Sequence, residues 1–256
     1  MNKKILFSSI FCTLVSLLSH AQQKGDPKET EYYTPVPKVV TPGNTNSNAP
    51  SDAIILFNGK NLDEWVMTNI NASSKWTLND NVMTVNKTAG DIQTKRNFTD
   101  FQLHIEYLIP SNITGSGQAR GNSGIFLAAL PFGAGGYELQ VLDNYNNSTY
   151  VNGQAGSMYK QSPPLVNACR QPGEWQAYDV VWTAPRFNDD GTLKSPARVT
   201  VLHNGILVQN NTELKGDTPY VGKPSYQKHG PAPIKLQAHG DKSEPISYRN
   251  IWVREL

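Results

Sequence analysis

Asn204-Gly205 stands between two runs that alternate apolar and polar residues, RVTVLH and ILVQN. An Asn-Gly pair suits the left-handed turn of a two-residue hairpin, and a period of two fits strands with one buried face. The same grammar recurs along the chain. AIILF, KWTLN, NVMTVN, FQLHIEYLI, SGIFLAAL, YELQVL, WQAYDVVWT, PIKLQAH and YRNIWVREL are all short. Turn signals such as Asn58-Gly59, Asn79-Asp80-Asn81, Gly115-Ser116-Gly117 and Asp189-Asp190-Gly191 separate them. No stretch between residues 53 and 256 carries a convincing helical period. Such a chain buries its apolar faces by packing sheet on sheet, so the sequence predicts an all-β fold, a two-sheet antiparallel jelly-roll sandwich. The absence of a fixed-period repeat disfavours a propeller or solenoid.

The beginning of the chain reads differently. Residues 1–21 carry Lys3 and Lys4, an apolar run from Ile5 to about Leu18, and Ser19-His20-Ala21. That is the pattern of a secretory signal peptide cleaved after Ala21, and the run is short for a membrane span. Phe11 before Cys12 disfavours a lipid anchor. The two lysines supply the whole formal excess of +2, because residues 1–21 hold no acid. The mature chain is then balanced, without the basic footprint that nucleic acid or an anionic membrane requires. It keeps one cysteine, Cys169, and so must stabilise itself by core burial rather than by an internal disulfide. Residues 22–52, with Pro27, Pro35, Pro37, Pro42 and Pro50 and the run GNTNSNAP, read as a linker or an extended arm. The folded domain is expected over 53–256, in a periplasmic or secreted protein.

Two strands carry polar faces on apolar backs. In GYELQVLDN, Glu138 and Gln140 share one face while Tyr137, Leu139 and Val141 take the other. In KLQAH, Lys235, Gln237 and His239 oppose Leu236 and Ala238. On a concave sheet the two faces would line a groove, although ordinary solvated faces give the same parity. RGNSGIFL adds Asn122 and Ser123 between glycines that permit close approach. SYRNIWVREL is read as alternating Tyr248, Asn250 and Trp252 against Arg249, Ile251 and Val253. Residues 144–172 are long, polar and poor in strand signals, a candidate wall or lid. Glu106 and Asp179 read as ordinary outer-face charges, and the five tryptophans mostly as core. Thiolate zinc sites, phosphate loops and serine elbows are absent from the pattern. A retaining glycosidase needs two carboxylates roughly 5–5.5 Å apart. The residues after Glu138 on its face are Gln140 and Leu142, so that strand does not supply the pair.

The order TKRNFTDFQLHIEY, GNSGIFL, GYELQVLD, GEWQAYDVVW, VLHNGILV, IKLQAHG and SYRNIWVREL resembles the 3-keto-disaccharide hydrolase domain family, across roughly 53–256. The resemblance implies a concanavalin A-like sandwich. It also implies cleavage of glycosides whose sugar a partner oxidoreductase has first oxidised at carbon 3. Carried over by position, it marks Asn122, Ser123, Gly124, Glu138, Gln140, Gln237 and His239, with Thr94, Lys95, Arg249 and Asn250. One departure stands out: many relatives follow GIF closely with an arginine, where this chain has Leu127, Ala128 and Ala129.

A ketone at carbon 3 acidifies the proton on carbon 2, whose loss expels the group on carbon 1; water then adds to the enone. This route needs one base, a stabiliser of the enolate oxygen and an acid for the leaving group, not a carboxylate pair. His239 or Glu138 is the candidate base, and Lys95 or Arg249 the enolate stabiliser. Asn122, Ser123, Gln140, Gln237 and Asn250 are candidate sugar contacts. A divalent cation is an alternative stabiliser, with no diagnostic ligand set in the sequence. The competing reading is a non-catalytic, lectin-like carbohydrate-binding module.

Overall fold

The computed structural model describes residues 25–68, 70–131 and 135–256; the leader and Cys12 lie outside them. Two compact units divide the chain after Val39. The described part of the first is exposed and holds one 3-10 turn, Pro27–Thr30, whose N-terminus Asp26 caps. The second, residues 40–256, is the sandwich.

The larger sheet has eight strands among the described residues. Its order is Ile206–Glu213, Arg198–His203, Trp175–Thr183, Phe101–Leu108, Ser247–Glu255, Val82–Thr84 and Thr77–Asn79, with Ile54–Phe57 also pairing Ser247–Glu255. The smaller sheet runs Trp65–Met67, Ile92–Thr94, Lys235–Leu236, Ser123–Ala129 and Gly136–Val141. Every pairing in both is antiparallel. The all-β sandwich expected from the strand grammar is the fold that forms. The hairpin at Asn204-Gly205 has both turn residues at positive φ, +54° and +80°, as its two-residue geometry demands.

Alternation explains the core. Phe101, Leu103, Ile105 and Tyr107 of one strand meet Tyr178, Val180 and Trp182 of its neighbour on the inner face, all inaccessible to solvent. Opposite them the smaller sheet contributes Ile125, Leu127, Tyr137, Leu139, Val141 and Leu236. The predicted alternation of the last strand fails at one residue. Asn250 adopts a φ of +46°, and the register slips between Arg249 and Trp252. The bulge turns Ile251 and Val253 inward with Tyr248 and sends Trp252 outward to stack on His104. Trp65, Trp76 and Trp182 are buried in the core cluster, whereas Trp175 lines an outer cavity.

Segment 144–172 is ordered as a wall. Gly156, Ser157 and Tyr159 pair through their backbones with Gln140 and Glu138, closing the free edge of the Gly136–Val141 strand. Residues 40–52 belong to the same compact unit: Ser47 O accepts from Asn250 Nδ2 at 2.9 Å and from Trp252 Nε1 at 3.0 Å.

Candidate active site

The outer face of the smaller sheet would be solvated in a bare sandwich. Here segments 156–160 and 216–220 roof it, and a cavity of about 300 Å³ remains, at the lower end of ligand-site volumes. Asn122, Phe126, Glu138, Gln140, Tyr159, Thr218, Tyr220, Gln237 and His239 line it. The parity read from the sequence therefore brings both polar strand faces to one place.

Glu138 sits at the floor. It is only 6 % exposed. Burial pushes its carboxyl up to about 8, against the opposing pull of Lys235 and with a push from Asp91. At neutral pH this side chain is mostly an acid, a proton donor in waiting. Gly124, directly across the strand pair at Gln140, makes room for it. A Cβ on Gly124 would lie 2.4 Å from Glu138 Oε1. Lys235 packs its ammonium 3.7 Å from the Phe126 ring centroid and 3.4 Å from Asp91 Oδ2. Thr218 pins the roof: its hydroxyl accepts from Glu138 N at 2.9 Å, and its own N–H donates to Gly136 O.

His239 is positioned by a second carboxylate. Asp241 Oδ2 lies 2.8 Å from His239 Nδ1. Asp241 is in turn held by Lys87 Nζ at 2.9 Å and by the N–H and hydroxyl of Ser243. Burial alone would raise the Asp241 carboxyl; the hydrogen bonds from Ser243, Lys87 and His239 outweigh it and hold it below its ordinary value. A carboxylate accepting from Nδ1–H leaves Nε2 with the lone pair, the arrangement of an oriented base.

Amides supply the walls. Asn122 Nδ2 donates to Gln118 O at 2.7 Å. The Gln140 amide lies 3.1 Å from the Gln118 side chain, and the orientation that satisfies both its atoms has its NH₂ donating to Glu138 Oε1 and Ser123 O, both at 3.2 Å. Gln237 Oε1 is buried with no hydrogen-bond partner among the described residues. Such an acceptor is costly to leave unmatched, and a ligand hydroxyl is its natural complement.

The other sequence candidates go elsewhere. Ser123 points inward, fully buried, bonding Gln237 O and the Tyr248 hydroxyl, so it supports the sheet from behind. Lys95 is exposed, outside the cavity lining. Arg249 and Asn250 belong to the other sheet. Arg249 Nε donates to Glu106 Oε2 at 2.5 Å with its guanidinium 4.0 Å from the Trp175 ring, and Asn250 Nδ2 reaches Glu106 Oε1 at 2.8 Å. Glu106 is thus no ordinary outer charge. Burial disfavours its anion, yet His104, Asn250 and Arg249 hold its carboxyl well below the usual range. Sequence reasoning placed Lys235 on the correct face without choosing it, and missed Asp241, Asp91, Tyr159, Thr218 and Tyr220. Asp241 carried a signal, two residues beyond His239, and Tyr159 lies in the segment read as a candidate wall; Thr218 and Tyr220 carried none. Among the described residues no three His, Cys, Asp or Glu side chains converge as a metal-ligand set, and no helix is long and apolar enough to cross a membrane.

Residues 52–254 match the family described as the 3-keto-alpha-glucoside-1,2-lyase-like domain. A candidate glycosyl hydrolase from Parabacteroides distasonis is similar at 54 % identity and a TM-score of 0.84, over 90 % of this chain and 97 % of that one. Two further candidate glycosyl hydrolases of that organism share the fold. One has 20 % identity and a TM-score of 0.61, covering 85 % of this chain and all of that one. The other has 21 % and 0.55, over 80 % and 99 %. No curated protein sequence matches the chain.

Proposed function

Because the chain belongs to the 3-keto-alpha-glucoside-1,2-lyase-like domain family, whose general character is that of a glycosidase-like enzyme, we propose that it cleaves 3-keto-glycosides by elimination across carbons 1 and 2. The observation that carries this reading is the pairing, in one cavity, of a buried acid with a carboxylate-oriented imidazole. His239 Nε2 takes the carbon-2 proton, and the electron pair of that bond is held by the carbon-3 carbonyl as an enolate. Collapse of the enolate breaks the bond from carbon 1 to its oxygen. Glu138 gives the departing oxygen its proton. Addition of water, oxygen to carbon 1 and hydrogen to carbon 2, then returns the free keto-sugar. Lys235 provides the positive field that favours the enolate, the role the sequence reading gave to Lys95 or Arg249. Asn122, Gln140 and Gln237 hold the ring hydroxyls. A second reading, a lectin-like module, uses the same amides but gives no reason to protonate Glu138 or to orient His239.

Incubating the purified protein with methyl 3-keto-glucoside and its unoxidised parent tests this directly. Methanol release from the keto compound alone is the expected result. Binding without release from either compound would establish the module instead.

A partner oxidoreductase that makes the substrate, and a site of action outside the cytoplasm, are part of the same proposal. The exported protein is expected to begin at Gln22. Its intact mass, taken from the periplasm or medium, checks this; a mass retaining residues 1–21 would refute export with cleavage.

A further inference from the structure

Beside the cavity just described lies a second hollow of about 360 Å³, lined by Asp217, Pro219, Val221 and their neighbours. The two are neighbours, because Thr218 and Tyr220 line both. This part of the roof is unusual in what it shows to solvent. Tyr220 is 71 % exposed and Val221 85 %, adjacent apolar side chains next to Pro219. Contiguous exposed apolar surface of this kind is unfavourable unless something covers it.

The segment is nonetheless held in place. Thr218 is fixed to the Gly136–Val141 strand through Gly136 O and Glu138 N. Lys160 Nζ donates to Tyr220 O at 2.6 Å and lies 4.7 Å from the Tyr220 ring centroid. The same ammonium lies 5.6 Å from the ring of Tyr159, so one cation braces both aromatic walls. The polar groups nearest the first cavity are already committed. Asp217 is 8 % exposed and accepts the backbone N–H of Ser225, and the Thr218 hydroxyl already accepts from Glu138 N. Lys223, Ser225 and Gln227 stand exposed at the rim.

The geometry points to a leaving-group subsite for planar, apolar aglycones, with an aryl ring lying against Tyr220 and Val221. This rests on the reaction proposed above and adds the substrate class: 3-keto-glycosides of aromatic alcohols. The sugar occupies the cavity over Glu138, and the group on carbon 1 lies across Thr218.

The test compares phenyl 3-keto-glucoside, methyl 3-keto-glucoside and a 3-keto-disaccharide. Tyr220→Ala is expected to lower kcat/KM for the phenyl compound about tenfold more than for the methyl compound, a stacking-sized effect. Tyr220→Phe, which keeps the ring, should stay within about threefold of wild type on both. Tyr220 is exposed and its backbone oxygen keeps the Lys160 bond in either variant, so the fold is not at stake. An equal loss on phenyl and methyl substrates, or a larger loss on the disaccharide, would overturn the proposal. Calorimetry on Glu138→Gln, which should hold substrate uncleaved, reads the same preference as a Kd ratio. If wild type cleaves no keto-glycoside, the reaction fails and this ratio still decides the subsite. Tighter phenyl binding that is lost in Glu138→Gln/Tyr220→Ala supports it, and equal affinities overturn it.

Discussion

Glu138→Gln is expected to lower turnover of a 3-keto-glycoside by about a thousandfold, within the range general acids contribute, while the protein stays folded. The substitution is nearly isosteric and removes only the transferable proton. The pH profile separates acid from base. With a carboxyl raised to about 8, an acid role makes the rate fall as pH climbs through 8, whereas a base role makes it rise there. Stability also falls with rising pH. The folded value lies above the unfolded one near 4.5, so below pH 4.5 both states are protonated and Glu138 costs nothing. Between 4.5 and 8 the unfolded chain gives up a proton that the folded chain keeps, and folding is progressively penalised. Glu138→Gln should therefore raise Tm at pH 8–9 and leave it unchanged at pH 4. A variant with wild-type activity would sink the assignment; a variant inactive but without the alkaline gain in Tm would mean that the carboxyl is not raised. Gly124→Ala offers a check that leaves the acid in place. Its Cβ intrudes on Glu138 Oε1, so activity should fall by about a hundredfold while the Tyr137, Leu139 and Val141 side of the strand stays packed.

What could be read in the sequence was what obeys a local period. Parity put Glu138 with Gln140, and Gln237 with His239, because side chains in a strand have no choice but to alternate. Parity also placed Lys235 on the active face, yet resemblance by position preferred Lys95, whose side chain turns out exposed. It misread the last strand because one residue, Asn250, tolerates a left-handed conformation and shifts everything after it by one. Arg249, just before the bulge, lies on the outer face of the larger sheet, where Glu106 and Trp175 hold it. Sheet membership itself was not legible. Lys235–Leu236 and Ser247–Glu255 are near in sequence but lie in different sheets, a matter of tertiary pairing that no local pattern encodes. The length and polarity of 144–172 marked a candidate wall without singling out Tyr159, and Thr218 and Tyr220 were invisible, as loop residues obey no period.

His239→Ala should cost a comparable factor, about a thousandfold, and the more informative variant is Asp241→Asn. His239 is partly exposed and contributes little to the core, so its loss should leave Tm within a few degrees of wild type. The Asp241 side chain is buried and accepts from His239, Lys87 and Ser243. An asparagine keeps the shape but offers one acceptor oxygen and an NH₂ group. If the oxygen stays with Lys87, the NH₂ faces Nδ1, which must then accept; the ring proton moves to Nε2 and the base is lost. Activity should fall by about a hundredfold or more with KM little changed, since the imidazole remains but in the wrong tautomer. Lys87→Met separates orientation from charge. It removes the charged donor from Asp241 Oδ1, leaving the Ser243 bonds and the Asp241–His239 contact, and should cost roughly tenfold or less. The ¹⁵N chemical shifts of His239 give the readout that a merely structural role would not move: the proton is expected on Nδ1 in wild type and on Nε2 in Asp241→Asn. Activity surviving in Asp241→Asn with the tautomer inverted would remove His239 as the base and leave Glu138 as the candidate for both proton transfers.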